Sequence, residues 1–319
     1  MQNDLMQWFG LSVPILQAPI GSTATHELAT AVGSAGAMGS LALTWTSQEA
    51  AAQRISALNA TGLAYFVNFV LRFGTAAPRA AILSRPPCLT LSWGCDRETI
   101  AMAKAQGIRV GVQVGSADGA AVAIAAGADF VIAQGMEAGG HVQSTTPLGI
   151  LLPAVVAAAG TVPVVAAGGI ARAEEIAACL KQGAQAVMMG TRFVATAESL
   201  AHDAYKQALA AGGRDTSLTI CFDLTWPFAL HRVLRNSTLE AWEAAGHPAA
   251  PHRPGEGDVL FHQNGNPVLR YSDDQPDRGA LGDVSAGCLY AGTGVQHINM
   301  VEPAAVLVAR LWAETQRLL

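Results

Sequence analysis

Charged residues are scarce in this sequence: Asp, Glu, Lys and Arg make up 13% of its 319 residues, about half the ~25% usual for soluble domains. Aromatic residues contribute only 6%, whereas hydrophobic residues reach 51%. A chain with so little charge and so many apolar residues is not intrinsically disordered. The net charge is −5 and no run rich in Lys or Arg occurs, so we expect no nucleic-acid partner.

Cysteine is also sparse, and its five positions are scattered without a CxxC pair. This distribution excludes a disulfide framework and a zinc knuckle, and it favours a cytoplasmic location. Because the histidines are dispersed as well, we expect no metal site. Residues 1–10 lack the basic and apolar regions of a signal peptide. The uncharged stretch 147–171 is long enough to span a bilayer, but prolines and glycines interrupt it, so we expect no membrane association.

Eight short apolar runs alternate with Ala-rich segments in the first two thirds of the chain. The runs are 14–20, 38–43, 64–70, 88–94, 109–115, 129–135, 162–169 and 186–193. They are continuous rather than alternating, which is typical of parallel strands covered by helices on both faces.

Six of the intervening segments have the composition and the end signals of helices. They are 26–35, 47–60, 96–106, 116–126, 147–159 and 172–182. Thr25, Ser47 and Asp96 are suitable N-cap residues. Repeated strand–helix units favour right-handed parallel crossovers, and eight such units predict an α/β fold, a closed (β/α)8 TIM barrel. An open doubly wound sheet is the alternative.

The alternation stops after Phe193. Residues 197–211 suit a helix, whereas 212–287 are irregular and too long for an ordinary loop. We therefore predict a barrel formed by 1–213 plus 281–319, with 214–280 as an irregular or helical C-terminal lid insertion over its mouth. An apolar stripe on the last segment, from residue 303, favours a homodimer.

Two glycine-containing motifs follow the seventh and eighth runs, AAGGI at 166–170 and GTRF at 190–193. Active sites in such barrels lie at the carboxyl ends of the strands, and phosphate binds at these two loops through main-chain N–H groups. The motifs therefore predict a phosphate site at Gly168, Gly169, Gly190 and Thr191. The alternative is that the glycines only make tight strand-to-helix turns.

The segment QGMEAGGH places His141 at the end of a turn made by Gly139 and Gly140. A histidine at the barrel mouth can exchange a proton near neutral pH. The alternative is a histidine that only hydrogen-bonds the main chain.

Amide side chains end three of the apolar runs. Asn68, Gln113 and Gln134 need hydrogen-bond partners there, and together they could recognise the edge of a planar heterocycle. Elsewhere the expectations are mainly structural. Trp226 packs in the lid, with a wall of the substrate pocket as the alternative, His231 lies on the surface or in a loop, and Asp273 belongs to a solvated turn.

Taken together, the motifs resemble the nitronate monooxygenase family. The matching pieces are QAPIG (17–21), AVGSAGAMG (31–39), VNF (67–69), QGMEAGGH (134–141), AAGGI (166–170) and GTRF (190–193). The wider group includes flavin-dependent enoyl-acyl-carrier-protein reductases and NADH:quinone reductases.

The resemblance implies an FMN-binding barrel with the FMN phosphate at the two glycine motifs. It places the isoalloxazine ring against Ala18 and Pro19 and near the three amides, and it makes His141 the candidate catalytic base. The residues expected to bind the cofactor are Ala18, Pro19, Asn68, Gln113, Gln134, Gly139, Gly140, Gly168, Gly169, Gly190 and Thr191.

By the same resemblance, the expected activity is oxidation of alkyl nitronates with O2 to a carbonyl product and nitrite. Two alternatives remain open. The first is an NAD(P)H-dependent reductase of a quinone or an enoyl thioester on the same flavin, and the second is a flavin-binding protein without turnover.

Overall fold

A computed structural model describes residues 3–319 of the chain. Eight parallel strands form one sheet in the order β1-β9-β8-β6-β5-β4-β3-β2. Their bounds are β1 Ile15–Gln17, β2 Gly39–Ala42, β3 Tyr65–Val70, β4 Cys88–Ser92, β5 Arg109–Val114, β6 Phe130–Gln134, β8 Val164–Ala167 and β9 Ala186–Met189. All eight coincide with the predicted apolar runs, and none comes from elsewhere in the chain.

The sheet closes on itself between β1 and the residue before β2. Gln17 N–H donates to the Met38 carbonyl at 2.9 Å, and Met38 N–H donates to the Ile15 carbonyl at 3.0 Å. These bonds pair Leu16 with Met38 in parallel. The predicted (β/α)8 barrel is confirmed, and the open doubly wound sheet is excluded.

Helices alternate with the barrel strands along the chain, and further helices follow the last strand in sequence. Their bounds are α1 Asp4–Phe9, α2 His26–Ser34, α3 Gln48–Asn59, α4 Ala76–Ile82, α5 Arg97–Ala105, α6 Ala117–Ala125, α7 Leu148–Ala159, α8 Ala173–Lys181, α9 Thr191–Val194, α10 Asp203–Ala210, α11 Ser237–Ala244 and α12 Ala304–Gln316. The predicted N-caps accept hydrogen bonds from the first turns of α2, α3 and α5. No helix between residues 3 and 319 is both long and apolar enough to cross a membrane.

Side chains of the strands alternate between two apolar layers. In β6, Phe130 and Ile132 belong to the cluster that fills the barrel, whereas Val131 and Ala133 pack against the helices. Gly111 of β5 leaves space for the Phe130 ring, because a Cβ there would overlap it. This alternation explains why the runs are apolar at every position.

Residues after the barrel are more regular than predicted. The segment 214–280 contains the strands β10 Thr216–Thr219, β11 His231–Leu234, β12 Val259–Gln263 and β13 Asn266–Leu269, together with α11. A two-residue strand, β14 Leu281–Gly282, extends the β12–β13 sheet, and β7 Gly140–His141 extends the β10–β11 sheet. The expectation that this segment is irregular or helical is therefore wrong, because it contains four strands. The helix predicted at 197–211 is shorter than expected and corresponds to α10, Asp203–Ala210.

Candidate active site

A cavity of about 580 Å³ lies at the carboxyl ends of the barrel strands, a size typical of small-molecule and cofactor sites. Every residue that the sequence marked as a candidate lines it. They are Ala18, Pro19, Asn68, Gln113, Gln134, Gly139, Gly140, His141, Gly168, Gly169, Gly190 and Thr191. The structure therefore brings together residues from six barrel strands and the loops that follow them.

The Gly168–Gly169 turn after β8 needs glycine for the fold itself. Both residues have positive φ, +116° and +72°, a region that side chains disfavour. A Cβ at Gly169 would also lie 2.9 Å from Glu137 Cβ and from Thr293 Oγ1. The tight-turn explanation therefore accounts for these two glycines without any ligand.

Gly190 at the start of α9 differs. Its φ is −103°, and a Cβ there would meet only Ala18 Cβ and Ile20 Cγ2, both at 3.6 Å. Neither strain nor packing therefore requires glycine at this position. The main-chain N–H groups of Gly190 and Thr191 donate no hydrogen bond to any residue within 3–319. A cavity wall without a side chain and with two free donors suits an anionic group such as a phosphate.

His141 is held in the cavity wall by pairing between β7 and β11, in which it lies opposite His231. Its ring is 4.3 Å from the Trp226 ring, centroid to centroid. Nε2 is buried and has no hydrogen-bond partner within residues 3–319. Burial, with a smaller contribution from His231, lowers the pKa of His141 to about 3, so the imidazole is neutral at pH 7. An unpaired buried nitrogen is the kind of group that a ligand completes.

Gln134 fixes the turn that carries His141. Its Nε2 donates to the His141 carbonyl at 3.2 Å, and its Oε1 accepts from Gln143 N–H at 2.9 Å. Gln113 Nε2 donates to Gln143 Oε1 at 2.6 Å. The two glutamines line the cavity, but these polar atoms are already engaged with residues 141–143. Both amides therefore have a structural role in fixing residues 141–143, which is an alternative to the hypothesis that they recognise a planar ligand.

Asn68 keeps a free acceptor. Its Nδ2 donates to Thr90 Oγ1 at 3.0 Å, and its Oδ1 accepts nothing from the part of the chain that the structure describes. Glu137, by contrast, has a structural role, because its carboxylate accepts the Leu148 N–H that begins α7 at 2.9 and 3.1 Å.

Three residues of the segment 214–280 lie in the cavity wall or beside it. Trp226 is buried and also lines the cavity against His141, so both of its expected roles, packing and pocket wall, are confirmed. The expectation that His231 lies on the surface or in a loop is wrong: it belongs to strand β11 and is fully buried, and its Nε2 accepts from Phe222 N–H at 3.2 Å.

Asp273 was expected in a solvated turn, which is also wrong. It is half-buried, it lines the cavity and it accepts from the Thr225 hydroxyl. Burial raises the pKa of its carboxyl. No local pattern in the sequence distinguishes Asp273 or His231 from residues on the surface.

Comparisons with known proteins identify the family. The sequence model described as nitronate monooxygenase matches residues 79–314. The nitronate monooxygenase of Pseudomonas aeruginosa is 33% identical over 304 residues, which covers 80% of this chain and 86% of that protein. The nitroalkane oxidase structure from Streptomyces ansochromogenes superposes with a TM-score of 0.80 at 30% identity, over 99% of both chains.

A third relative has a different name. It is the (3aS,4S,5R,7aS)-5-hydroxy-7a-methyl-1-oxo-octahydro-1H-indene-4-carboxyl-CoA dehydrogenase of Mycobacterium tuberculosis, 34% identical over 267 residues, covering 80% of this chain and 74% of that protein. The match over most of the chain, together with the barrel and the motifs gathered at its mouth, establishes the family. The chain belongs to the nitronate monooxygenase family of flavin-dependent oxidoreductases.

Proposed function

We propose that the protein binds FMN in the barrel cavity and oxidises alkyl nitronates with O2 to a carbonyl product and nitrite. The observation that carries this proposal is the position of His141. Its ring, with a buried and unpartnered Nε2, lines the same cavity as the free N–H groups of Gly190 and Thr191. Membership of the nitronate monooxygenase family supports the choice of substrate class.

The residues present fit FMN at both ends of the cavity. Gly190 and Thr191 would hold the phosphate through their N–H groups, and the Thr191 hydroxyl, which accepts from Gly292 N–H at 2.9 Å, still has a proton to donate. Asn68 Oδ1 would accept from the ring edge, and Ala18 and Pro19 would pack on the ring. When bound, the flavin supplies the electron-transfer chemistry that side chains lack.

His141 would act on the substrate as a neutral imidazole. A base whose conjugate acid has a pKa of about 3 is weak, so removal of a carbon-bound proton from a neutral nitroalkane is uphill. A nitronate is already deprotonated, and the N–H of a neutral imidazole can hold one of its oxygens. The preferred substrate form is therefore the nitronate anion, with His141 orienting it beside the ring.

The segment 214–280 would close the site. Its Thr225, Trp226, Asp273, Asp274 and Gln275 line the cavity opposite the barrel loops. We infer that this segment caps the mouth and limits the access of water to the bound substrate.

The test is the visible spectrum of the FMN-loaded protein without oxygen, followed by a nitrite assay in air. Ethyl nitronate should bleach the flavin, and in air nitrite should form. His141→Ala should lower nitrite formation by about 10- to 100-fold, because it removes a hydrogen bond to a charged oxygen worth roughly 1.5–3 kcal/mol, while FMN content is retained. The exposed His262 supplies the control variant His262→Ala, which should change neither. Equal loss of FMN and activity in His141→Ala would contradict the assignment.

The second candidate is an NAD(P)H-dependent reductase of a quinone or an enoyl thioester. It is favoured by the 34% identity to a protein named as a carboxyl-CoA dehydrogenase. The same anaerobic experiment separates the two. Bleaching by NADH or NADPH but not by a nitronate selects the reductase, and a protein that stays colourless with added FMN rejects both.

A further inference from the structure

Aromatic side chains form a continuous row from the cavity entrance to His141. The rings of Trp45 and Phe73 are 5.2 Å apart, those of Phe73 and Trp226 are 5.1 Å apart, and Trp226 lies 4.3 Å from His141. The first two pairs are edge-to-face, a favourable arrangement for aromatic rings. Three separate loops supply these rings: those after β2 and β3, and the one that joins β10 to β11.

The outer end of the row is open to solvent. Trp45 is 67% exposed and Phe73 is 46% exposed, whereas Trp226 is only 7% exposed. Trp45 also lines the cavity, so it stands at the entrance rather than elsewhere on the surface. Grouped exposed apolar side chains beside a cavity indicate a surface that a ligand covers.

Trp93 adds a second, independent observation. It lies after β4 and lines the cavity, with its ring 4.7 Å from that of Trp226. Its φ is +56°, a conformation that is an outlier for a bulky residue. Strained backbone of this kind persists where the surrounding structure holds it, and it concentrates at ligand-binding positions. The strain presents one more aromatic face to the cavity.

The charge of the cavity limits what can occupy this row. Within residues 3–319, the acidic groups that line the cavity are Asp273 and Asp274, and no Lys or Arg lines it. A tail that carries phosphates, as coenzyme A does, would find no cationic partner along this wall. An uncharged apolar group would bury against the rings at no electrostatic cost.

We propose that Trp45, Phe73, Trp93 and Trp226 form a specificity-determining subsite for an aromatic or extended apolar substituent on the nitronate carbon. This inference rests on the proposed function, because it takes the nitronate group to lie beside His141 at the inner end of the row. The substituent then extends outward along the rings. The substrate class is accordingly that of bulky apolar nitronates rather than the smallest ones.

The first experiment compares kcat/KM for the nitronates of nitroethane, 1-nitrohexane and phenylnitromethane. The native protein should prefer the two larger substrates by about 10-fold or more, the range that added apolar contacts provide in a pocket. Trp45→Ala should reduce that preference about 10-fold. The control is Leu83→Ala, a change at a large apolar residue that is 77% exposed and outside the cavity, and it should leave the preference unchanged. Equal kcat/KM for all three substrates would overturn the proposal.

The second experiment needs no turnover. Calorimetric titration of the FMN-loaded protein without oxygen should show tighter binding of phenylnitromethane than of nitroethane, and Trp45→Ala should remove most of the difference. If no nitronate is oxidised but this binding difference holds, the proposed function fails and the aromatic subsite stands. If nitronates are oxidised with no size preference and no binding difference, the subsite fails and the proposed function stands.

Discussion

The two walls of the cavity differ in the chemical groups that they present to a ligand. One wall, which we call the glycine wall, is main chain: the turn of Gly168 and Gly169 and the residue before α9, Gly190. No ionisable side chain belongs to it. The other wall, which we call the ring wall, consists of aromatic rings: His141 lies between His231 and Trp226, with ring centroids 5.5 and 4.3 Å away. The first wall offers fixed dipoles that do not titrate, whereas the second holds two imidazoles whose neutral state depends on burial. Under the proposed function, the first wall would hold the phosphate and the second would orient the substrate.

The largest expected effect is acid destabilisation from the ring wall. Burial lowers the pKa of His141 to about 3 and that of His231 to about 4, while in the unfolded chain both lie near 6.5. The unfolded state therefore binds more protons between about pH 6.5 and pH 4, and stability falls as the pH drops through that window. At pH 5 the loss is roughly 2 kcal/mol for each histidine.

Urea unfolding at pH 7.5 and pH 5 measures this loss. His141→Gln should remove about half of the pH dependence, whereas His262→Gln, at an exposed histidine, should leave it unchanged. An identical loss of stability in the native protein and in His141→Gln would show that the ring wall is not its source.

Gly169→Ala should be the most damaging change in the glycine wall. The alanine would have to adopt φ +72° and place its Cβ 2.9 Å from Glu137 and Thr293. Strain and overpacking together predict a loss of about 3 kcal/mol in the free energy of unfolding. Denaturant titration without added flavin tests this, and a stability within about 0.5 kcal/mol of native would contradict the packing explanation.

Gly190→Ala separates ligand binding from packing in the same wall. Because its φ is negative and the nearest atoms to the new methyl are 3.6 Å away, stability should change by less than about 1 kcal/mol. The methyl would nevertheless occupy the space proposed for the phosphate, so FMN should bind about 10- to 100-fold more weakly. Fluorescence titration with FMN measures the change, and native affinity in this variant would place the phosphate elsewhere.

The smallest effect is expected for Gln134→Leu, which removes the two hydrogen bonds that fix residues 141–143. Each is worth about 1 kcal/mol, so kcat on a nitronate should fall about 10-fold as His141 loses its fixed position. FMN affinity should stay near native, because Gln134 Nε2 and Oε1 are bonded to residues 141–143 and not to the glycine wall. A larger loss of FMN than of kcat would instead assign Gln134 to the flavin ring.

Local sequence patterns predicted the barrel because its strands and helices carry local signals. Continuous apolar runs mark strands buried on both faces, and N-caps such as Thr25 and Asp96 mark the helix starts. The turn at Gly168 follows equally from its place after a strand. Each of these features depends on residues that are neighbours in sequence.

The sequence predicted His141 at the barrel mouth, but the expectations for His231 and Asp273 were wrong because their positions depend on long-range pairing. His231 lies opposite His141 in an antiparallel pair, although the two residues are 90 positions apart in the sequence. The residues around either histidine do not predict this pairing. Trp226 and Asp273 enter the cavity through the same distant segment. Gln134 was predicted at the right place but with an incomplete role, since sequence alone does not show that its amide is already hydrogen-bonded to residues 141–143.

The short pairing of β7 with β11 has a consequence for protein engineering. His141 lies opposite His231 in this pairing, and the neighbouring Val142 N–H donates to the Leu230 carbonyl at 2.9 Å, although His141 itself belongs to a barrel loop. Chimaeras that exchange this segment between related barrels would replace the register partner of the imidazole along with the pocket wall. Exchanging the segment alone would therefore also move His141, so the exchange has to include residues 134–143 to preserve the pairing.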